Sequence, residues 1–330
     1  MPDIIKDYID AIIPDARIAE EINKTLVDGA VNSGETDDAP DKIDAWFQQR
    51  FKPNSVVLDK DDYSKALIRA LWIAPNLAGL DFTGGRLRDF AQLWTDTARG
   101  FLGEIAVQKF LGTNFNFDMY IETKRGKDVK EFVPSDVLVM DGGKPRKAKL
   151  GVSIKTTKFN GRWYEIAESQ FNQSDAFVLV KLGISRYHFS AYLKSLKTIE
   201  QIFKEGERLK ELDKSMIAIL SKEIPESTFI PAYIAGFVEK AELTTPIDSL
   251  EVKLKRNRQK VPKELVIENG IGLFKDDAIR TYPAVVNLGI PADLPILLAG
   301  IRKEVDGKFE ASSGLLKYDH DSWKKLVARL

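Results

Sequence analysis

The residues of this chain best suited to chemistry lie between Pro134 and Glu168. Asp136 belongs to one apolar, strand-like run (PSDVLVM) and Lys155 to the next (KLGVSIKTT), so a hairpin would bring an acid and a lysine side by side. Glu104 lies upstream in a helix-like segment, and Glu168 follows Lys155 by thirteen positions. Carboxylates that hold Mg²⁺ beside a lysine are suited to hydrolysis of a phosphodiester. The sequence therefore predicts a metal-dependent DNA endonuclease.

The predicted hairpin also assigns these residues to a face. If its loop spans about residues 141–147, Asp136 falls opposite Ser153, and Lys155 lies two residues further along the same strand face. We expect Asp136, Ser153 and Lys155 to share one surface. The apolar residues between them should pack beneath, namely Val137, Val139, Val152 and Ile154.

Three short motifs carry a resemblance to a known family. They are GEIAVQKFL with Glu104, PSD with Asp136, and SIK with Lys155. Together they resemble the PD-(D/E)XK nuclease superfamily, most closely its type II restriction endonucleases. The usual motif has an acid two positions before the lysine, where this chain has Ser153. The chain is similar to a variant with Ser-X-Lys, whose second acid lies on a helix about a dozen residues later. Glu168 fits that spacing, and Glu165 is the alternative.

The resemblance implies a role for each acid and for the lysine. Asp136 would be the central Mg²⁺ ligand and Glu168 the second ligand. Lys155 would assist the nucleophilic water, and Glu104 would reach the metal directly or through water. Asp128 is the reserve candidate in case Asp136 points away. The resemblance also implies a homodimer that cuts double-stranded DNA, leaves 5′-phosphates and is accompanied by a cognate DNA methyltransferase.

The charge is unevenly distributed although the net charge is zero. Residues 1–62 carry 15 Asp and Glu against 7 Lys and Arg, a net of −8, so the remaining residues total +8. The stretches 144–158 and 253–263 each hold six basic residues and no acid, which suits phosphate contacts, although surface lysines also cluster by chance. The expected DNA contacts are Arg146, Lys149, Lys158, Arg162, Lys255, Arg256, Arg258 and Lys260.

Several other classes of protein are disfavoured by composition and motifs. There is no cysteine and there are only two histidines, which excludes disulfides, thiolate zinc sites and a cysteine nucleophile. The sequence has no P-loop, no dinucleotide-binding glycine motif and no nucleophile-elbow motif. No apolar run approaches the roughly 18 residues that cross a membrane. We expect a cytoplasmic protein with no membrane partner.

The hydrophobic periodicity predicts an α/β fold. The resemblance implies a restriction-endonuclease-like core at 86–245, with a mixed sheet of about five strands flanked by helices. We expect an acidic helical region at 1–85 before it and an α+β region at 246–330 after it, which would recognise DNA. The predicted helices span about 60–73, 86–111, 164–171, 196–224 and 321–330. The predicted strands span about 132–140, 148–157, 176–182, 186–193, 229–238, 265–267, 284–288 and 294–301.

Two other functions stay open at this level. One is a DNA repair or junction-resolving nuclease, although the extra sequence on both sides of the core favours a dedicated specificity function. The other is a non-catalytic DNA-binding protein on a nuclease-like fold, for which Ser153 in place of the motif acid is the best evidence.

Overall fold

The structure of this protein is a computed structural model. It describes residues 3–76, 89–121, 136–161, 163–226, 229–244, 249–254, 264–268, 296–299, 301–303 and 308–330, with the backbone alone for 163–170 and for 243–312. The helices are α1 (Asp3–Ile12), α2 (Ala16–Asn32), α3 (Pro40–Trp46), α4 (Lys60–Ile73), α5 (Phe90–Phe115), α6 (Glu168–Gln173), α7 (His188–Ser195), α8 (Thr198–Arg208), α9 (Lys214–Glu223), α10 (Lys240–Thr244) and α11 (His320–Val327).

The strands form four sheets in the described ranges, and one of them is central. They are β1 (Ser55–Leu58), β2 (Met119–Tyr120), β3 (Leu138–Asp141), β4 (Lys144–Lys147), β5 (Val152–Lys158), β6 (Trp163–Ala167), β7 (Ala176–Leu182), β8 (Ile230–Glu239), β9 (Ser249–Leu254), β10 (Glu264–Glu268), β11 (Ile296–Ala299), β12 (Ile301–Lys303) and β13 (Lys308–Ser312). The central sheet has the order β1-β8-β7-β5. Only β5 and β7 run parallel, and the chain between them contains β6 and α6.

The central sheet separates two hydrophobic cores because strand side chains alternate between its faces. In β7, Val178 and Val180 join a core with α4, α5 and α11. Phe177 and Leu179 join a second core with α1, α2 and α3 on the opposite face. The N-terminal helices therefore pack directly on the strands that carry the candidate site.

The general α/β class with a mixed sheet and flanking helices is confirmed, and the central sheet has four strands in the described part of the chain. The predicted bounds of α4 and β7 match those observed, and α5, β8, α11 and the helical stretch after Leu196 lie close to their predicted positions. The strand predicted at 284–288 lies outside the described residues.

The strand predicted at 186–193 is wrong, because this segment forms α7. His188 is fully buried; its Nδ1 accepts a hydrogen bond from Ser185 N at 3.0 Å and its Nε2 donates to Phe229 O at 3.0 Å. These bonds fix a turn at the start of the helix. The alternation of aromatic and polar residues resembled a strand, but it does not encode these hydrogen bonds.

Two further predictions near the candidate site are wrong. The loop predicted at 141–147 is the hairpin of β3 and β4, whose turn uses Gly142 and Gly143 with φ of +54° and +79°. The helix predicted at 164–171 begins as β6 and becomes helical only at Glu168. The short strand β1 was not predicted, because its four residues follow a helical region without a change of pattern.

Candidate active site

Asp136 is fixed at the edge of β5 by two hydrogen bonds. Its backbone N–H donates to Val152 O at 2.8 Å, and its carboxylate Oδ2 accepts from the N–H of Ile154 at 2.8 Å. The carboxylate therefore caps a strand edge beside Ser153, in a half-buried position. The hairpin predicted between the strand of Asp136 and the strand of Lys155 is wrong, because β3 pairs with β2 and β4 in a separate sheet and β5 pairs with β7, but Asp136 does lie beside β5.

The strand β5 presents Ser153 and Lys155 on one face. Val152 and Ile154 point to the other face, where they join the same core as Val137 and Val139. The register partners of Ser153 and Lys155 are Phe177 and Leu179, which face the N-terminal helices. Ser153 is 4% exposed and Lys155 is half-buried. The predicted separation of a polar face from an apolar face is confirmed for this strand.

Glu104 approaches β5 from the opposite side of the sheet. It lies on α5 and is 6% exposed. Its neighbour Gly103 contacts β5 so closely that an added Cβ would lie 1.8 Å from Thr156 Oγ1. The absence of a side chain at Gly103 thus lets the helix backbone approach the strand beside Glu104. Successive side chains of a strand point to opposite faces, so Lys155 lies on the face opposite Thr156. Glu104 therefore lies on the α5 side of the sheet and Lys155 on the other side, with Asp136 at the edge of the strand.

Glu168 is the first residue of α6, which packs on the face that carries Lys155. Phe171 of the same helix stacks on Phe177, with ring centroids 6.0 Å apart and an interplanar angle of 3°. The side chain of Glu168 lies outside the described residues. Glu165 belongs to β6, where its backbone pairs with Glu310. The backbone therefore assigns Glu168, and not Glu165, to the helix that follows the lysine strand.

The described side chains contain no group of three Asp, Glu, His or Cys residues arranged to hold a metal ion. This statement does not cover Glu168, and it does not cover the reserve candidate Asp128, which lies outside the described residues. Among the described acids, Asp136 lies at the edge of β5, Glu104 lies on α5, and Asp175 accepts from Gly151 N just before β5 begins.

The predicted DNA contacts fall at two separated places. Arg146 lies on β4, where its Nε donates to Asp141 Oδ2 at 3.1 Å, and the exposed Lys149 follows that strand. Lys158 is exposed at the far end of β5, roughly 20 Å from Val152 at about 3.3 Å per residue. The other predicted contacts lie outside the described residues, namely Arg162, Lys255, Arg256, Arg258 and Lys260.

A buried charged cluster was missed by the sequence analysis. Glu35 Oε1 accepts from Lys181 Nζ at 2.6 Å and from Ser313 Oγ at 2.7 Å, and its Oε2 accepts from Tyr233 OH at 2.8 Å. Arg50 is 4% exposed and donates to Ser313 O at 2.5 Å and to Ala235 O at 3.1 Å. The cluster therefore joins the N-terminal region, the central sheet and the segment after β13.

The electrostatics of this cluster favour the charged form of Glu35. Burial alone would raise the pKa of Glu35, but the attraction of Lys181 and Arg50 and the hydrogen bonds that it accepts outweigh burial and lower the pKa to about 2. Burial lowers the pKa of Lys181, and Glu35 opposes that effect. The available signal in the sequence was a lysine inside an otherwise apolar strand, AFVLVKL.

Comparison with known proteins gives one partial similarity. No protein-family model matches the chain, and no solved structure matches it. The chain is similar to DNA polymerase sliding clamp 1 of Aeropyrum pernix, with 31% identity over 93 residues, which is 28% of this chain and 37% of the clamp. The chain thus spans little more than a third of the length of the curated relative that it matches. Among the described residues, no helix is both long and apolar enough to cross a membrane.

Proposed function

We propose that this protein is a Mg²⁺-dependent type II restriction endonuclease of the PD-(D/E)XK kind, which hydrolyses duplex DNA and leaves 5′-phosphates. The observation that carries the proposal is the position of Asp136. Its carboxylate is held at the edge of β5 by the N–H of Ile154, one residue before Lys155. A helix acid, Glu104, approaches the same strand, and a second helix begins at Glu168 after the lysine strand.

The donor groups at this strand suit the proposed ion. Mg²⁺ prefers oxygen ligands and is commonly held by one or two carboxylates together with substrate phosphates. Asp136 supplies a carboxylate at the strand edge, and we assign Glu168 as the second ligand. We assign Glu104, which approaches from the α5 side, as a group that reaches the ion directly or through water. Glu104 is 6% exposed, a position in which a carboxylate is costly unless hydrogen bonds or positive charge offset its desolvation. When bound, the ion would supply Lewis acidity and lower the pKa of a bound water.

The remaining chemistry belongs to Lys155 and Ser153. The ammonium group of Lys155 has three N–H donors, which can orient the attacking water and balance the negative charge that develops on the phosphate. Lys155 is half-buried on β5, the outermost strand of the central sheet, and the pairing of β5 with β7 fixes its backbone before substrate binds. Ser153 is a weak metal ligand, and we assign it to hydrogen bonding of a carboxylate or a water beside Asp136.

The proposed partner is double-stranded DNA, cut by a homodimer in which each subunit hydrolyses one strand. The partial similarity to a protein named as a DNA polymerase sliding clamp agrees with a DNA-related function. A cytoplasmic location and a companion DNA methyltransferase that protects the same sites complete the proposal. A methyltransferase gene beside this one would support it.

Digestion of unmethylated phage DNA tests the proposal. Wild-type protein is incubated with Mg²⁺ or with a chelator, alongside Lys155→Ala, Asp136→Asn and the control Lys204→Ala on α8. Asn at position 136 retains an oxygen that can accept from Ile154, so this variant removes charge while preserving the strand edge. We expect discrete Mg²⁺-dependent fragments from wild type and Lys204→Ala, and loss of cutting of about 100-fold or more in the two site variants.

The other outcomes separate the alternatives. Cutting restricted to branched substrates would replace the proposal with a junction-resolving nuclease. Tight duplex binding without cleavage, unchanged in Lys155→Ala, would favour a non-catalytic DNA-binding protein, for which Ser153 in place of the motif acid is the supporting observation. Equal cutting by wild type and both site variants would refute the assigned residues.

A further inference from the structure

The hairpin of β3 and β4 meets the C-terminal helix α11. Leu330 O, just beyond the helix, accepts a hydrogen bond from the backbone N–H of Lys149 at 3.1 Å. The same oxygen accepts from Arg146 Nη1 at 3.4 Å. Two elements separated by almost two hundred residues therefore form one continuous surface.

The helix α11 is firmly anchored beneath this surface. Trp323 is 1% exposed, and its ring lies 5.1 Å from that of Phe110 and 4.8 Å from that of Phe237. Leu326 and Leu330 belong to the same core. The outward-facing residues of α11 are thus presented by a packed helix and not by a loose tail.

The exposed charged side chains of this surface are mainly basic, and the acids at the start of α11 are Asp319, which caps the helix, and Asp321. The acids Asp141 and Glu239 form ion pairs with Arg146 at 3.1 Å and with Arg329 at 2.6 Å, so these acids are already neutralised by arginines. Five exposed lysines remain on the two elements and the residues that follow β4. These residues, here called the lysine surface, are Lys144, Lys147, Lys149, Lys324 and Lys325.

We propose that the lysine surface binds the phosphate backbone of duplex DNA and that α11 contacts the duplex beside the hairpin. The inference rests on the proposed function for the identity of its partner. Flexible, strongly hydrated ammonium groups suit phosphate contacts that position a duplex without selecting its sequence. Lys149 lies three residues before Val152, which bonds Asp136, so the surface adjoins the candidate site at roughly 10 Å along the chain.

A structural role for Lys324 and Lys325 gives a different expectation. Both lie in the last turn of α11, where positive charge offsets the negative end of the helix dipole. That role predicts a loss of thermal stability without any change in DNA affinity. The phosphate role predicts a weaker and less salt-dependent DNA complex with little change in stability.

The experiment measures binding of a fluorescent 30-base-pair duplex by anisotropy, in a chelator so that no cleavage occurs, across a range of salt concentrations. Lys324→Gln/Lys325→Gln is compared with wild type and with Lys214→Gln/Lys222→Gln, which removes two exposed lysines from α9. Two lost phosphate contacts should lower the slope of log affinity against log salt by about 1.8, or affinity by roughly 60-fold near 0.1 M salt. The α9 control should bind like wild type.

A charge-retaining variant, Lys324→Arg/Lys325→Arg, should keep the wild-type slope and so tie the effect to charge. If the glutamine pair in α11 binds with the slope of the α9 control, the lysine surface is refuted while the proposed nuclease stands. A fall in melting temperature with unchanged affinity would likewise refute it in favour of the dipole role. If wild type binds no duplex at all, the proposed function and this inference both fail.

Discussion

Replacing Glu35 by Gln should lower the free energy of unfolding by roughly 3 kcal/mol at neutral pH. Gln keeps the length of the side chain but removes the charge that opposes Lys181 and Arg50, which are 2% and 4% exposed. The pKa of Glu35 is about 2 in the folded protein, against its ordinary 4.5. At about 1.36 kcal/mol per pH unit, this difference corresponds to roughly 3 kcal/mol. The value agrees with the roughly 3–5 kcal/mol typical of breaking a buried ion pair.

The sign of the pH dependence follows from the lowered pKa. A carboxyl group whose pKa is lower in the folded state stabilises the fold fully above its unfolded pKa, here 4.5. That contribution is lost as the pH falls from there toward about 2. The stability difference between wild type and Glu35→Gln should therefore be constant near neutral pH and shrink through this acidic range.

Urea denaturation followed by tryptophan fluorescence measures the difference at several pH values. The matched control is Glu205→Gln, the same chemical change in the exposed pair that Glu205 forms with Arg208. Water screens an exposed ion pair strongly, so the control should nearly match wild type. The reasoning is refuted if Glu35→Gln loses no more stability than Glu205→Gln, or if its loss is the same at every pH.

Three further predictions concern packing and protonation. Gly103→Ala should destabilise the protein by about 1–3 kcal/mol in thermal unfolding, because the new methyl group would clash with Thr156. The control Gly100→Ala on the same helix meets open space and should stabilise the protein by up to about 1 kcal/mol. Equal effects of the two substitutions would contradict the close contact. Trp323→Ala should cost about 3–5 kcal/mol, and a loss below about 1 kcal/mol would contradict its buried position. Burial lowers the pKa of His188 below its ordinary 6.5, so wild type should lose stability as the pH falls below 6.5, and His188→Gln should lack that slope.

The parts of the fold that were predictable are those whose signal lies within one segment. Six of the seven residues of β7 are apolar, and α5 carries a helical repeat of large apolar residues. The nearness of Asp136 to β5 was predictable because only about fifteen residues separate them, although the hairpin expected between the two strands does not form.

The parts that were not predictable depend on distant partners. The strand β6 exists because it pairs with β13, some 145 residues later, and no local pattern in either segment specifies that pairing. The same holds for the contact of Gly103 with Thr156, which decides how closely Glu104 approaches the lysine strand. The location of Glu104 on the opposite side of the sheet from Lys155 is a tertiary property, and a one-dimensional motif does not contain it.

The buried charged cluster also has a consequence for the order in which the chain matures during synthesis. Arg50 is bonded to the carbonyl of Ser313, 263 residues later, and Glu35 accepts from the hydroxyl of that same serine. During synthesis, the N-terminal helices can pack on the strands that are already made. The hydrogen bonds of Arg50 and Glu35 stay incomplete until Ser313 has been synthesised. The core is therefore completed late in folding. A nascent chain that stalls before residue 313 should be bound by chaperones and cleaved by proteases.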